Sequence, residues 1–341
     1  MISPSEGKFP DSAWLKSLIS RQQQVDDVFD LAFLRGIIFI DSKEPEGEAA
    51  TKLNGLLESW GTAWSKHMTK DFPIQPPPGL YVWKDNALWS AYRVYDDFNG
   101  AFMASIRRCP STGYVRFLLN VFDAHGIYSK YTNLRLGGEE YQTLGVIVPS
   151  RIGASPSQIR PLEGLRFAVK DMYRIKGLRN TLGNRAFYDV NEPATVTSPA
   201  IQRLLDSGAY LVGMTKLACF AGREEPTESV DYQAPYNPRG DGYQSPAGSS
   251  SGSAAAIASY EFLDFAIGSD SKFVSFLLAF TMLIIEATGS TRRPAFFNGC
   301  FALRPSHDRL PLDGMQLTFE YIFILLVRFI PVNCSQVIRY P

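Results

Sequence analysis

The chain has 341 residues, 45% of them hydrophobic and 13% aromatic, enough to bury a sizeable core in one large or two smaller domains. Lys plus Arg and Asp plus Glu each count 34, so the net charge is zero and nothing points to a nucleic-acid or acidic partner. Four scattered cysteines, Cys109, Cys219, Cys300 and Cys334, form no CxxC pair, which favours a reducing cytoplasmic setting, and three histidines, His67, His125 and His307, are too few for a His-rich metal site.

The N-terminus, Met1 to Pro10, is polar and lacks the apolar run of a signal peptide. Residues 1–72 read as helical with loops. Ser12 to Ile19 has helical spacing, and Ala50 to Met68 repeats it with Leu53, Leu56, Leu57, Trp60 and Trp64 at three- and four-residue steps. Pro73 to Gly79 then reads as a stiff connector. Tyr81-Val82-Trp83, Leu88 to Tyr95 and Gly113 to Phe117 are aromatic and β-branched with turns between them, so residues 81–148 read as a small β-rich region. Neither stretch carries identifiable chemistry.

From about residue 145 the pattern alternates. Leu165 to Val169 is an apolar strand ending on Lys170-Asp171, Ser198 to Ser207 is an amphipathic helix, and Gly208 to Gly213 is a turn and a second strand. Such alternation argues for a sheet covered by helices. Prolines and glycines then punctuate Glu225 to Gly248, a loop long enough to be functional. It delivers the chain to Gly248-Ser249-Ser250-Ser251-Gly252-Ser253, which runs into Ala254 to Ala258. Glycines allow the turn, serines supply hydroxyls and capping groups, and alanines start a helix. From these residues alone the stretch is either a flexible linker or a helix N-terminus suited to an anionic group. A nucleotide site is disfavoured, because no Gly-Lys-Ser/Thr follows the glycines. Phe273 to Ile285 and Phe319 to Val332 are apolar, yet shorter than the roughly 20 residues that span a bilayer.

Five segments in order over about residues 145–316 resemble the amidase signature family. Gly164 to Asp171 is similar to its lysine segment, Ser207 to Phe220 to its GKTN segment, Tyr236-Asn237-Pro238 to its Asn-Pro loop, and Pro246 to Ala256 to its PGGSS core. Gly289 to Ala295, followed by Asn298-Gly299 and Leu303 to Ser306, resembles its GGSIR-x-PA run. The wording looks most like the fungal branch of that family. The resemblance implies an α/β fold, a mixed sheet flanked by helices, behind a helical and then β-rich region over residues 1–148. It implies amide hydrolysis of a small-molecule substrate through a Ser–Ser–Lys triad and an acyl-enzyme, with no cofactor and no metal. By that resemblance Ser290 is the nucleophile, Ser249 the bridging serine on a cis peptide, and Lys170 the base; Ser250 is the reserve for the bridge. Backbone groups at Ser271, Thr288 and Gly289 would bind the oxyanion. Lysine serves as a base only when neutral, so it must be desolvated.

The match within 149–316 is interrupted. Gly268-Ser269-Asp270-Ser271 begins the nucleophile run, residues 272–287 are inserted and mostly apolar, and Thr288-Gly289-Ser290 resumes it. Ser249 and Ser290 are thereby 41 positions apart. The codons for Ser271-Lys272-Phe273 can spell a splice donor, so the insert reads as retained intron sequence; a transcript keeping these codons as its main form would sink that idea. Residues 317–341 read as an apolar tail outside the family, leaving the sheet truncated. An inactive pseudo-amidase or aberrant gene product is the competing expectation.

Overall fold

A computed structural model of the chain describes residues 2, 10–69, 78–84, 87–108, 131–134, 144–222, 225, 229–273, 286–287, 289–305, 311, 313–315 and 321–328. The expected strand at Gly113 to Phe117 lies outside them. The chain divides into two compact units: among the described residues the first takes those up to Tyr95 and Ile147–Gly164, and the second takes Asp96–Arg108, those of Tyr131–Val146 and those from Leu165 onward.

The first unit opens on α1 (Ser12–Val25), whose N-terminal amide on Ala13 is capped by the Asp11 carboxylate at 3.1 Å. Leu15 and Ile19 point inward. A 3-10 turn (Leu31–Arg35) leads into β1 (Gly36–Ile40), and α2 (Gly47–Ser59) buries Leu53, Leu56 and Leu57. The helical spacing predicted through Met68 fails after Ser59. Gly61 takes a φ of +71°, which ends the helix, and the Ala63 amide bonds the Arg35 carbonyl at 2.8 Å. That bond sets Trp64–Met68 as β2, parallel to β1 with Trp64 opposite Gly36. Cross-strand pairing overrides a periodicity that Trp60 and Trp64 satisfied only by coincidence. β3 (Tyr81–Lys84) and β4 (Ala87–Ser90) follow as an antiparallel pair, as the aromatic runs predicted. β5 (Tyr92–Asp96) closes this stretch.

The second unit is built on one sheet. Its strands are β6 (Phe102–Arg108), β7 (Tyr131–Leu134), β9 (Arg166–Lys170), β10 (Tyr210–Thr215), β11 (Phe265–Phe273), β12 (Glu286–Ala287), β13 (Cys300–Leu303) and β14 (Tyr321–Arg328). β8 (Gly145–Pro149) pairs with β5 in a separate two-stranded sheet. The main order is β13-β14-β11-β9-β10-β6-β7, with β12 attached to β11. β9 runs parallel to both neighbours, while β6, β7, β13 and β14 pair antiparallel. The helices are α3 (Arg185–Val190), α4 (Pro199–Asp206), α5 (Ser251–Ser259) and α6 (Arg292–Asn298). This is a mixed α/β fold. Phe167, Ala168 and Val169 of central β9 are wholly buried, as expected of a strand covered on both faces.

α5 packs closely because its residues are small: Ala254, Ala255, Ala256 and Ile257 are fully buried. At Gly252 an added Cβ would stand 2.5 Å from both the Ala101 carbonyl oxygen and the Lys216 nitrogen, which are backbone atoms and cannot swing aside. Gly252→Ala is therefore expected to destabilise the chain by ~1–3 kcal/mol, read as a lower urea midpoint at unchanged slope.

The apolar runs resolve differently. Phe319 to Val332 supplies β14, which lies inside the sheet between β11 and β13. The insert leaves along the end of β11 and returns as β12, with Lys272 opposite Ala287 and Phe273 opposite Glu286. At the sheet edge, β13 exposes Phe301 and Leu303. No helix among the described residues is long and apolar enough to cross a membrane.

Candidate active site

Lys170 ends β9 at the carboxyl edge of the two parallel pairings, and its side chain is completely buried. Its Nζ lies 2.8 Å from Ser249 Oγ and 2.9 Å from Ser269 Oγ. Burial drives the Lys170 amine down to about 7, against a smaller opposing pull from the Asp270 carboxylate. Turn bonds fix the backbone behind it: the Tyr173 amide donates to the Lys170 carbonyl at 3.2 Å, and the Tyr173 hydroxyl donates to the Gly268 carbonyl at 2.9 Å.

Asp171 is buried beside it. Its carboxylate accepts from the Thr181 amide at 2.9 Å, the Thr181 hydroxyl at 2.5 Å and Asn180 Nδ2 at 3.1 Å. Burial still pushes Asp171 up to about 7, these bonds only partly offsetting it. Its carboxylate thus anchors the segment around Thr181 to the end of β9.

The serine turn meets β11. The Gly248–Ser249 peptide is cis, as the resemblance implied for the bridging serine. Ser250 occupies the N-cap of α5 but makes no capping bond with its side chain, contrary to the capping role expected of it. Its hydroxyl instead donates to the Ser269 carbonyl and accepts from the Ser269 amide, both at 3.2 Å, fastening the turn to the strand. Gly268 makes this approach possible, since a Cβ there would stand 2.9 Å from Ser250 Oγ. Ser253 is likewise spent on packing, bonded to Thr215 and to the Ile267 carbonyl.

Ser290 reaches this cluster despite the insert. The Ser250 amide donates to the Ser290 carbonyl at 2.9 Å, and Thr291 Oγ1 donates to the Ser269 carbonyl at 2.9 Å. The Ser290 amide donates to Asp270 Oδ1 at 3.1 Å. The other oxygen of Asp270 lies 3.7 Å from Arg304 and 3.9 Å from Arg292. Gly289, at φ +73°, makes the bend that presents Ser290. Ser271 continues β11, where its backbone pairs with Tyr321. Thr288 lies outside the described residues.

The long loop before the turn grips α6, the helix that follows Ser290. Glu225 accepts from Ser245 and pairs with Arg293 at 2.5 Å, contacts that hold its carboxyl below the usual range. Asn237 donates to the Phe297 carbonyl and Arg239 to the Asn298 carbonyl. Cys219 and Cys300 form no disulfide, and burial raises the Cys300 thiol to about 12, so it is no nucleophile.

Ser269 and Asp270 contact Lys170 and Ser290, and the sequence alone left both without a role. Both stand in the Gly268-Ser269-Asp270-Ser271 run, but their aim at Lys170 and Ser290 depends on the pairing of β11 with β9. The Asp270 charge raises the lysine, so Asp270→Asn is expected to move the lysine-controlled midpoint of any turnover to lower pH. Rate–pH profiles of the two proteins check the sign; an unmoved or raised midpoint contradicts it.

The Amidase family profile matches residues 150–325, slightly more than half of the chain. The chain belongs to the Amidase family. Lys170, Ser249 and Ser290 all fall inside the Amidase match, which also reaches into β14, past residue 316. Among curated Amidase relatives, Amidase 1 of Oryza sativa subsp. japonica is 38% identical over 160 residues, 47% of this chain and 32% of that protein. Amidase 1 of Arabidopsis thaliana is 34% identical over 169 residues, 50% of this chain and 35% of that protein. The solved peptide amidase of Stenotrophomonas maltophilia aligns at 25% identity and a TM-score of 0.39, over 49% of this chain and 31% of that one. The chain spans about a third of the length of the curated relatives it matches.

Proposed function

We propose that this Amidase-family chain carries the reacting groups of an amide hydrolase acting on a small-molecule carboxamide. The observation that carries this reading is Lys170 Nζ, completely buried and 2.8 Å from Ser249 Oγ. A neutral amine accepts the Ser249 proton along that line while donating to Ser269. Ser249 in turn takes the proton of Ser290, whose Oγ forms a bond to the amide carbon. The C–N bond then breaks, the amine leaves with the proton returned through Ser249, and water hydrolyses the acyl ester on Ser290 by the same relay in reverse.

The oxyanion needs backbone donors. The Ser290 amide is committed to Asp270, so the donors come from residues before it, among which Gly289 has a described position. The contact also supports a second reading, a non-catalytic relative: a carboxylate beside the nucleophile's amide repels an oxyanion. We also propose a reducing, cytoplasmic setting for the chain, on the scattered cysteines.

Intact-mass analysis during turnover of a primary carboxamide separates the readings. An acyl adduct that maps to the peptide holding Ser290, released as hydroxamate by hydroxylamine, supports the hydrolase. A folded sample that forms neither adduct nor ammonia from any of a panel of alkyl and aryl amides supports the non-catalytic reading.

A further inference from the structure

The first unit holds a cavity of about 610 Å³ that has no part in the chemistry above. It is open on one side, with Ala32, Arg35 and Val82 exposed, and clefts of roughly 300–1,000 Å³ are the size that small ligands fill. Phe33, Ile38, Trp64, Leu80 and Tyr81 are among its walls, with Arg35 at its rim.

Its construction follows from one pairing. Gly36 and Trp64 stand opposite each other where β1 and β2 begin. A Cβ on Gly36 would lie 2.4 Å from the indole, so the ring rests directly on the glycine backbone and turns one half-exposed face to the cavity. Burial raises the Tyr81 phenol to about 12, which keeps it neutral. Arg35 is exposed, and among the described residues its guanidinium has no hydrogen-bond or ion-pair partner. Among the described residues no acidic side chain lines the cavity. The described walls therefore offer apolar and aromatic surface, with the exposed Arg35 guanidinium as their one cation.

We propose that this cavity binds an aromatic or long-chain monocarboxylate, its apolar body against Trp64 and Phe33 and its carboxylate on Arg35. A guanidinium matches a carboxylate with two parallel N–H bonds, which a neutral head group cannot reproduce. The cavity shares no residue with the Lys170 cluster, and the proposal stands whether or not the chain hydrolyses amides.

Isothermal titration of the full chain with 4-phenylbutyrate and with 4-phenylbutan-1-ol tests it. The acid is expected to bind saturably with one site. Arg35→Gln should weaken the acid at least tenfold and leave the alcohol within twofold. Gly36→Ala, which displaces the indole, should weaken both. No saturable binding of the acid overturns the proposal. So does equal binding of the acid to wild type and Arg35→Gln, which would place it elsewhere, or a parallel loss of both probes in Arg35→Gln, which would show that the guanidinium does not read the carboxylate.

Discussion

Ser290→Ala is expected to lower kcat/KM for any amide substrate by roughly 10³- to 10⁶-fold and to abolish labelling by a fluorophosphonate. The change removes only the hydroxyl. Two backbone bonds of this residue, from the Ser250 amide to its carbonyl and from its own amide to Asp270, do not involve Oγ and are kept in the variant. The thermal midpoint is accordingly expected to stay close to that of the wild type, which separates lost chemistry from lost fold. Undiminished labelling of Ser290→Ala would remove Ser290 from the nucleophile role.

Lys170→Met should lower kcat/KM by about 10²- to 10⁴-fold, the range of a general base. The accompanying pH dependence is more specific. Burial holds the folded amine at about 7, while the unfolded chain has the ordinary 10.5, so between these values the unfolded state binds more protons. Stability from this group therefore rises with pH from about 7 to 10.5 and is lost as pH falls through the folded value. Activity of the wild type should rise over a midpoint near 7, because only the neutral amine accepts a proton. Urea titrations across that range should show the rise in stability for wild type and its absence in Lys170→Met. A wild-type activity midpoint near 10.5, the ordinary lysine value, would mean that the amine acting as base is not the buried one.

Much of the second unit was legible because its signals are local. The apolar run into Lys170, the amphipathic α4 and the small-residue α5 each declare themselves within ten residues or so, and the resemblance supplied their order. Lys170 and Ser249 meet through their side chains and Ser290 docks on the same turn through its backbone carbonyl, with Ser250 turned to a different task. The first unit was less legible. One hydrophobic spacing covered both a helix and a strand, and only Gly61 and the pairing with β1 decide where one stops. Ser269 and Asp270 illustrate the same limit. Their residue types are ordinary, and their positions become significant only when β11 lies alongside β9. The β14 stretch reads as an apolar tail because it carries none of the family's motif residues, and only its pairing with β11 and β13 shows that it is a strand of the sheet.

The pairing of Lys272 with Ala287 and Phe273 with Glu286 changes what the insert means for the nucleophile. Two rungs of antiparallel ladder bring the exit and return points of the chain side by side. The approach of Asp270 to Ser290 is then set by this ladder and not by the number of residues between its two ends. Replacing residues 274–285 with Asn-Gly, a two-residue turn suited to such a ladder, should therefore preserve the contact between Ser250 and Ser290.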